Sequence, residues 1–134
     1  MDTLELTLDT SGSPVTDITG AVVDFCCDRG DGLVHVFVPH ATAGAALMET
    51  SSGSEGDLEL LLNDLLPRDD RWSHRHGAKG HGADHLLPAL VSPSLSIPVV
   101  GGEPLLGTWQ SVVLVDLNDD NPSRRVRLSF LPAP

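Results

Sequence analysis

The segment 94-SLSIPVVGGEPLLGTWQSVVLVDLNDDNPSRRVRLSFL-131 decides the fold class of this chain. Three runs rich in apolar residues within it have the length and composition of β-strands. These runs span residues 94–100, 111–117 and 125–131. Gly101-Gly102 follows the first run, and the polar stretch 118–122 separates the second from the third, so both mark turns. Strands joined by such turns predict an antiparallel sheet.

Outward from this segment the chain adds strands and short helices. The residue pattern predicts further strands over 4–8, 33–38 and 45–49 and helices over 17–27, 57–66 and 85–91. Strands outnumber helices and do not alternate regularly with them. The prediction is therefore an α+β fold, mainly an antiparallel sheet or sandwich with two or three short helices, rather than a doubly wound α/β fold. A length of 134 residues indicates a single domain spanning 1–134.

The charge balance excludes one class of partner and constrains another. The formal net charge is −11, which repels phosphate backbones, so we expect no nucleic-acid partner. A small anionic substrate would need a local positive centre on this acidic chain. Either a metal ion or clustered arginine and histidine side chains would supply that centre.

Cysteine usage and hydropathy indicate the compartment. Cys26 and Cys27 are the only cysteines, and adjacent residues are poorly placed for a structural disulfide. The N-terminus lacks the basic and apolar regions of a signal peptide, and no apolar run approaches the length of a membrane span. The expectation is a reduced, cytoplasmic protein with no membrane partner.

The segment from Trp72 to His85 is dense in histidine and glycine. It contains four of the six histidines, at positions 74, 76, 81 and 85. Histidine is the commonest metal ligand in proteins and the side chain that titrates near neutral pH. A flexible loop of this composition is costly to order unless a metal, an anionic substrate or a neighbouring subunit holds it.

Other candidate residues lie at strand ends and in loops. His40 follows a strand and precedes Thr42, a place where ligand contacts are common, although such a histidine often serves only as a hydrogen-bonding residue. The sequence Gly107-Thr108-Trp109-Gln110 precedes another strand, and Trp109 is expected in the core. His35, within an apolar strand, is expected to be a core histidine, and His76 is expected to be exposed.

Charged side chains supply further candidates. Glu49, Asp57 and Asp84 are carboxylates that could orient metal ligands or move protons, and Asp57 could instead favour the start of a helix. Arg124 and Arg125 could offset the acidic turn before them or bind a phosphate group.

In these motifs the chain resembles the YjbQ-like family, also called UPF0047, whose members are described as secondary thiamine-phosphate synthases. The matching pieces, in chain order, are Gly32-Leu33-Val34-His35, His40-Ala41-Thr42-Ala43-Gly44, Glu49, Asp57-Leu58, Leu66-Pro67, Trp72-Ser73-His74, Asp84-His85, Ser94-Leu95-Ser96-Ile97-Pro98-Val99, Gly107-Thr108-Trp109-Gln110 and Arg124-Arg125. Their order and spacing, rather than any single piece, carry the resemblance.

The resemblance implies a compact α+β subunit that assembles as a homotrimer. It implies a site in which His40, His74 and His85 bind a divalent metal, zinc by preference. The implied reaction joins hydroxymethylpyrimidine diphosphate to a thiazole phosphate, which gives thiamine phosphate and pyrophosphate.

Roles for the remaining candidates follow from this reaction. Residues proposed for proton transfer or ligand orientation are Glu49, Asp57, His81 and Asp84, and residues proposed to bind the phosphorylated substrate are Thr42, Gly107, Thr108, Gln110 and Arg125. His81 is additional to the family pattern and is a candidate fourth ligand or substrate contact. The alternatives are a metal-dependent hydrolase of a phosphorylated metabolite and a non-enzymatic metal- or metabolite-binding trimer.

Overall fold

The computed structural model describes residues 1–134. In chain order the elements are β1 (Asp2–Asp9), β2 (Val15–Asp17), α1 (Thr19–Cys26), β3 (Gly32–Phe37), β4 (Ala43–Met48), α2 (Ser54–Leu65), α3 (His81–Asp84), α4 (Leu87–Leu90), β5 (Ser94–Val100), β6 (Glu103–Pro104), β7 (Ser111–Asp116) and β8 (Ser123–Pro132). All strand pairs are antiparallel. The predicted α+β fold with antiparallel sheet is confirmed.

Two sheets and a helical layer build the molecule. A five-stranded sheet has the order β1-β8-β3-β5-β6, and a three-stranded sheet has the order β2-β7-β4. Buried side chains from both sheets and from α1 form one apolar core of 16 residues. A second core of 7 residues includes side chains of α2, α3 and α4 with side chains of the three-stranded sheet. The three-stranded sheet is therefore covered on both faces.

The position of the central strand β7 between two apolar cores explains why its sequence is continuously apolar. Val112 and Leu114 belong to the core shared with the five-stranded sheet. Val113 and Val115 point the other way, since successive side chains of a strand alternate, and they belong to the core under the helices. A strand buried on both faces loses the polar alternation that a half-exposed strand keeps.

Several boundaries differ from the predictions. Strands β2 and β6 were not predicted, because they have only 3 and 2 residues and show no periodic pattern. The helix predicted over 85–91 is only the single turn α4, and a further turn that was not predicted, α3, precedes it. Pro88 lies in the first turn of α4, where it needs no amide hydrogen bond.

Two side chains predicted to be buried lie on the surface. Trp109 is 74% exposed, because residues 107–110 form a tight turn outside both cores. His35 faces away from the core of the five-stranded sheet and is only partly buried, and its Nδ1 lies 2.9 Å from the Ser96 hydroxyl. Alternation along β3 explains this, since the core side chains of that strand are Val34 and Val36.

Substitution in β7 tests the covered sheet. Leu114 is fully buried, so Leu114→Ala should lower the free energy of unfolding by about 2–5 kcal/mol through lost burial and a cavity. Urea denaturation followed by circular dichroism at one fixed protein concentration measures this. Leu60→Ala on α2, where the side chain is 67% exposed, is the matched control and should change stability by less than about 0.5 kcal/mol. Equal losses of stability in the two variants would contradict the burial of Leu114 between the two sheets.

Candidate metal centre

The histidine-rich segment is anchored at both ends. The Trp72 indole NH donates to the Pro67 carbonyl at 2.8 Å, and the Trp72 ring packs against the core under the helices. At the other end, Gly82 in α3 lies directly against the backbone of His74. A Cβ atom at position 82 would overlap the His74 carbonyl oxygen, so only glycine permits this close approach.

The helical turn α3 places two histidines together. Gly80 precedes it with a φ of +88°, a left-handed conformation that glycine adopts without strain. His81 and His85 are four residues apart, which puts their side chains on the same face of a helical turn. Their Nε2 atoms are 2.9 Å apart.

A third imidazole completes the group. The ring centroid of His74 lies 4.3 Å from that of His85 and 5.3 Å from that of His81. One ligand nitrogen from each of the three side chains lies within 4.8 Å of the other two. Two nitrogens bound to one tetrahedral zinc ion are roughly 3.3 Å apart, given Zn–N bonds of about 2.0–2.1 Å. The donor set and its spacing therefore fit a divalent transition metal after small side-chain movements.

A carboxylate orients one of these ligands. The Nδ1 atom of His81 lies 2.8 Å from a carboxylate oxygen of Asp120. A neutral imidazole that donates from Nδ1 to a carboxylate keeps its lone pair on Nε2, which is the nitrogen that faces His85. Metal-binding histidines usually have such a second partner, because it fixes the ring and raises its basicity.

The local environment lowers the pKa of two of the imidazoles, those of His74 and His85, and so favours their neutral form. Burial is the main cause that lowers the pKa of His85, and the charges that His74, His81 and His76 would carry lower it further, against a weaker opposite effect of Asp84. The pKa of His74 is also lowered, first by desolvation and then by His76 and His81. A neutral imidazole is the form that binds a metal.

Asp84 is a structural anchor of α3. It is 2% exposed and forms an ion pair with Arg68. Its Oδ2 also accepts a hydrogen bond of 3.0 Å from the Asn118 amide. These partners satisfy a carboxylate that would be costly to bury alone, so the contacts of Asp84 support a positioning role for the helical turn that carries His81 and His85.

A second buried ion pair continues this network. Arg124 pairs with Asp116, and both side chains are almost fully buried. The Nη2 atom of Arg124 donates to the side-chain oxygens of Asn118 at 3.3 Å and Thr42 at 3.0 Å. Thr42, a predicted substrate contact, is therefore occupied by Arg124 in this subunit.

His40 belongs to this second ion pair and not to the three-histidine group. Its Nε2 accepts the Arg125 backbone N–H at 2.8 Å, and its Nδ1 lies 3.5 Å from Nη1 of Arg124. Burial, followed by the charges of Arg124 and Arg125, lowers the pKa of His40, while Asp116 acts weakly in the opposite direction. His40 as a metal ligand stays a prediction, and within one subunit the structure brings His81 to His74 and His85 instead.

Five of the other predicted site residues lie near the far end of β7, whereas Arg125 lies beside Arg124 at the start of β8. Asp116 ends that strand near the network, whereas Ser111 begins it and pairs with Met48. Five residues of strand span about 17 Å. Residues at or near the Ser111 end are Glu49, Asp57, Gly107, Thr108 and Gln110.

Several of these distant side chains form hydrogen bonds with residues close to them in sequence. Glu49 is exposed and accepts a hydrogen bond from the Ser52 hydroxyl. The side-chain oxygen of Gln110 accepts a hydrogen bond of 2.8 Å from the Gly107 backbone N–H. Asp57 lies in the first turn of α2, the place where a carboxylate favours a helix. Arg125 is exposed, with a guanidinium nitrogen 3.6 Å from Glu5.

One cavity lies at the histidines and a second lies beside the buried ion pairs. A small one of about 150 Å³ is lined by residues of 69–82, including His74, His76 and His81. A larger polar one of about 510 Å³ is lined by Arg68, Asp116 and Asn118 together with the loop 10–14. Arg68 lies between them, since its side chain also packs against Gly80 of the small cavity.

The sequence analysis missed the residues that hold the histidines in place. Asp116, Asn118 and Asp120 appear in the sequence only as a strand end and an acidic turn. These polar residues occupy every second position from the end of a buried strand, and this spacing could have marked them as candidates, because loops at strand ends commonly carry functional side chains. Nothing in the sequence indicated a role for Arg68, since a single arginine after a helix is common.

The close approach at Gly82 gives a test of the loop geometry. Gly82→Ala should displace the His74 backbone and raise the zinc Kd by roughly tenfold or more, as loss of ligand positioning does in other sites. Isothermal titration calorimetry with zinc measures the Kd. Gly56→Ala on α2 is the control, because a Cβ there meets nothing within 4 Å. Identical zinc affinities for the two variants would contradict the described packing.

The lowered histidine pKa values predict acid sensitivity of the metal-free protein. A histidine whose pKa is lower in the folded state binds its proton more tightly when unfolded, so protonation favours unfolding. The free energy of unfolding should be constant above the ordinary value of 6.5 and should fall as the pH drops below it toward the folded pKa values.

Urea unfolding in the presence of a chelator, at several pH values between 5.5 and 7.5, measures this decrease. The double variant His40→Gln/His85→Gln should lose less stability over the same range, because two of the three shifted groups are gone. Equal pH dependence of wild type and variant would show that other groups cause it.

The structure has no helix with the length and hydropathy needed to cross a membrane.

Comparison with known proteins finds relatives that match nearly the whole of this chain. A UPF0047 protein of Mycobacterium tuberculosis is 63% identical over 131 residues, covering 98% of each chain. A UPF0047 protein of Methanothermobacter thermautotrophicus is 35% identical and aligns with 98% of this chain and 93% of its own length.

Solved structures agree in fold. A hypothetical protein of Aeropyrum pernix superposes with a TM-score of 0.88 at 33% identity and covers 99% of this chain and 100% of its own. An uncharacterized YjbQ/UPF0047 protein of Clostridium acetobutylicum gives 0.84 at 28% identity, with coverages of 96% and 99%. The family described as "UPF0047 protein YjbQ-like" matches residues 4–133, and the chain belongs to this family.

Proposed function

We propose that this chain is a metal-dependent enzyme of the thiamine-phosphate synthase type. It would join hydroxymethylpyrimidine diphosphate to a thiazole phosphate, with zinc bound by His74, His81 and His85. The observation that carries this proposal is the convergence of three imidazoles, one of them oriented by the Asp120 carboxylate. Three histidine ligands leave one tetrahedral position for a substrate, as in catalytic zinc sites.

The reaction itself needs charge stabilisation and alignment. The bond between the pyrimidine methylene carbon and the diphosphate oxygen breaks, and its electron pair leaves with pyrophosphate. The thiazole nitrogen donates its lone pair to the same carbon and forms the new C–N bond. A bound divalent metal supplies positive charge that stabilises the leaving oxygens.

Residues of the chain would bind and align the two substrates. The larger cavity, about 510 Å³, is within the range that small-molecule sites occupy, and the smaller one at the histidines is about 150 Å³. Arg68, between the two cavities, presents a guanidinium that could bind a phosphate oxygen while its pairing with Asp84 holds it in place. Holding two reactants in line contributes to rate without any proton transfer.

Assembly as a homotrimer is part of the proposal. Glu49 and the segment 107–110 lie about 17 Å of strand away from the histidines within one subunit. A neighbouring subunit could bring its own copies of these residues to the site. Exposed apolar side chains on the outside of the five-stranded sheet, such as Leu33, Phe37 and Leu131, are suitable for such contact.

Metal content and turnover, measured together, test the function. Wild-type protein should contain about one zinc per subunit and form thiamine phosphate from the two substrates. His85→Ala should lose the metal and reduce kcat/KM by at least about 100-fold, since one ligand and its charge stabilisation are removed. Asp24→Ala, at an exposed position of α1 away from the histidines and from the outer face of the five-stranded sheet, is a control that should retain both properties.

The outcomes separate the alternatives. Absence of zinc even after excess zinc is offered would overturn the metal site. Zinc without turnover would favour a non-enzymatic binding protein, and release of pyrophosphate without thiamine phosphate would favour a hydrolase. His40→Ala distinguishes the two ligand sets, because zinc loss would make His40 a ligand and zinc retention would leave it in the arginine network.

A further inference from the structure

A fourth imidazole lies beside the three-histidine group. The ring centroid of His76 is 4.0 Å from that of His74, 5.0 Å from that of His81 and 6.3 Å from that of His85. His76 also lines the small cavity together with His74 and His81. Four of the six histidine rings of the chain therefore lie close together, and the ligand nitrogens of three of them, His74, His81 and His85, lie within 4.8 Å of one another.

His76 differs from the other three in its support. His81 is held by Asp120, His85 is partly buried on α3, and the backbone of His74 is packed against Gly82. The His76 side chain is exposed and forms no hydrogen bond. It can therefore change its position with little loss of protein contacts.

The neighbours of His76 permit such movement while keeping it near. Arg75 is directed elsewhere, since its Nε donates to the Trp72 carbonyl at 3.0 Å. Gly77 follows His76 with a φ of +83°, which gives the chain a turn that other residues adopt rarely. His76 thus lies two residues from His74, whose backbone is packed against Gly82, and is followed directly by a glycine.

We propose that His76 is a displaceable fourth ligand of the metal centre, an inference that rests on the proposed function. Without substrate, its imidazole closes the coordination sphere, as four protein ligands do in structural zinc sites. An anionic oxygen of a diphosphate replaces it when substrate binds. The site then has three histidines and one substrate oxygen, and His76 returns to solvent.

Ligand exchange of this kind selects for strongly coordinating substrates. A neutral metabolite or water would have to displace an imidazole tethered next to the metal, at high effective concentration. A diphosphate brings several negative oxygens and competes successfully. The exchange would therefore protect the metal from loss and from unproductive reactions while the substrate is absent.

Nuclear magnetic resonance of ¹⁵N-labelled histidine in the zinc-loaded full chain tests the proposal. Metal-bound and free imidazole nitrogens have distinct chemical shifts, so each histidine can be classified. We expect four metal-bound imidazoles, at 74, 76, 81 and 85, and we expect that inorganic pyrophosphate returns only His76 to the free pattern.

Variants give an independent readout. His76→Ala should keep one zinc per subunit, raise the zinc Kd by roughly tenfold, and bind pyrophosphate more tightly by a similar factor, because no imidazole has to leave. Ser73→Ala is the matched control in the same exposed loop, because Ser73 does not line the cavity, and it should leave both constants unchanged.

The results distinguish this proposal from the proposed function. Zinc bound by three histidines with His76 free before pyrophosphate is added would overturn the fourth ligand and leave the metal enzyme intact. A His76 that stays bound in saturating pyrophosphate would overturn its displacement. Failure of the wild type to bind zinc at all would overturn both.

Discussion

The buried ion pair between Arg124 and Asp116 is the interaction on which the arrangement of this subunit depends. Burying two charges costs several kcal/mol per ion unless their remaining hydrogen-bonding groups are satisfied. Here Thr10 donates to Asp116, and Thr42 and Asn118 accept from Arg124. The pair therefore joins the start of β8 to the end of β7 and fixes two loops against them. A shift of either strand by one residue would leave a buried charge without its partner.

Asn118 links this pair to the histidines. Its carbonyl accepts from Arg124 while its amide donates to Asp84, whose other partner is Arg68. The neutral Asn118 side chain thus connects the two ion pairs, through the arginine of one and the aspartate of the other. No buried side-chain polar atom of the molecule lacks a hydrogen-bond partner. Such a network is rigid, and it holds in place the helical turn of only four residues that carries His81.

The sequence predicted the layers of this fold better than it predicted the site. The alternation in β8 and the continuous apolar run of β7 were sufficient to predict these strands, because the spacing of apolar residues along a strand shows which of its faces are buried. His74 and His85 could be proposed from a single segment. Asp120 and Asn118 could not, since their contacts with His81 and Asp84 cross 34 or more residues, and only the folded sheets bring them together. The exposure of Trp109 was likewise hidden, because the sequence does not show that residues 107–110 leave the core.

The four clustered histidines lie within a stretch of twelve residues, whereas the carboxylate that orients His81 arrives only with the last quarter of the chain. During synthesis on a ribosome, all four histidines are therefore made before β7 and β8. The segment reaches its final geometry only when Asp120 contacts His81, so the order of synthesis supplies the imidazoles first and the carboxylate that fixes one of them last.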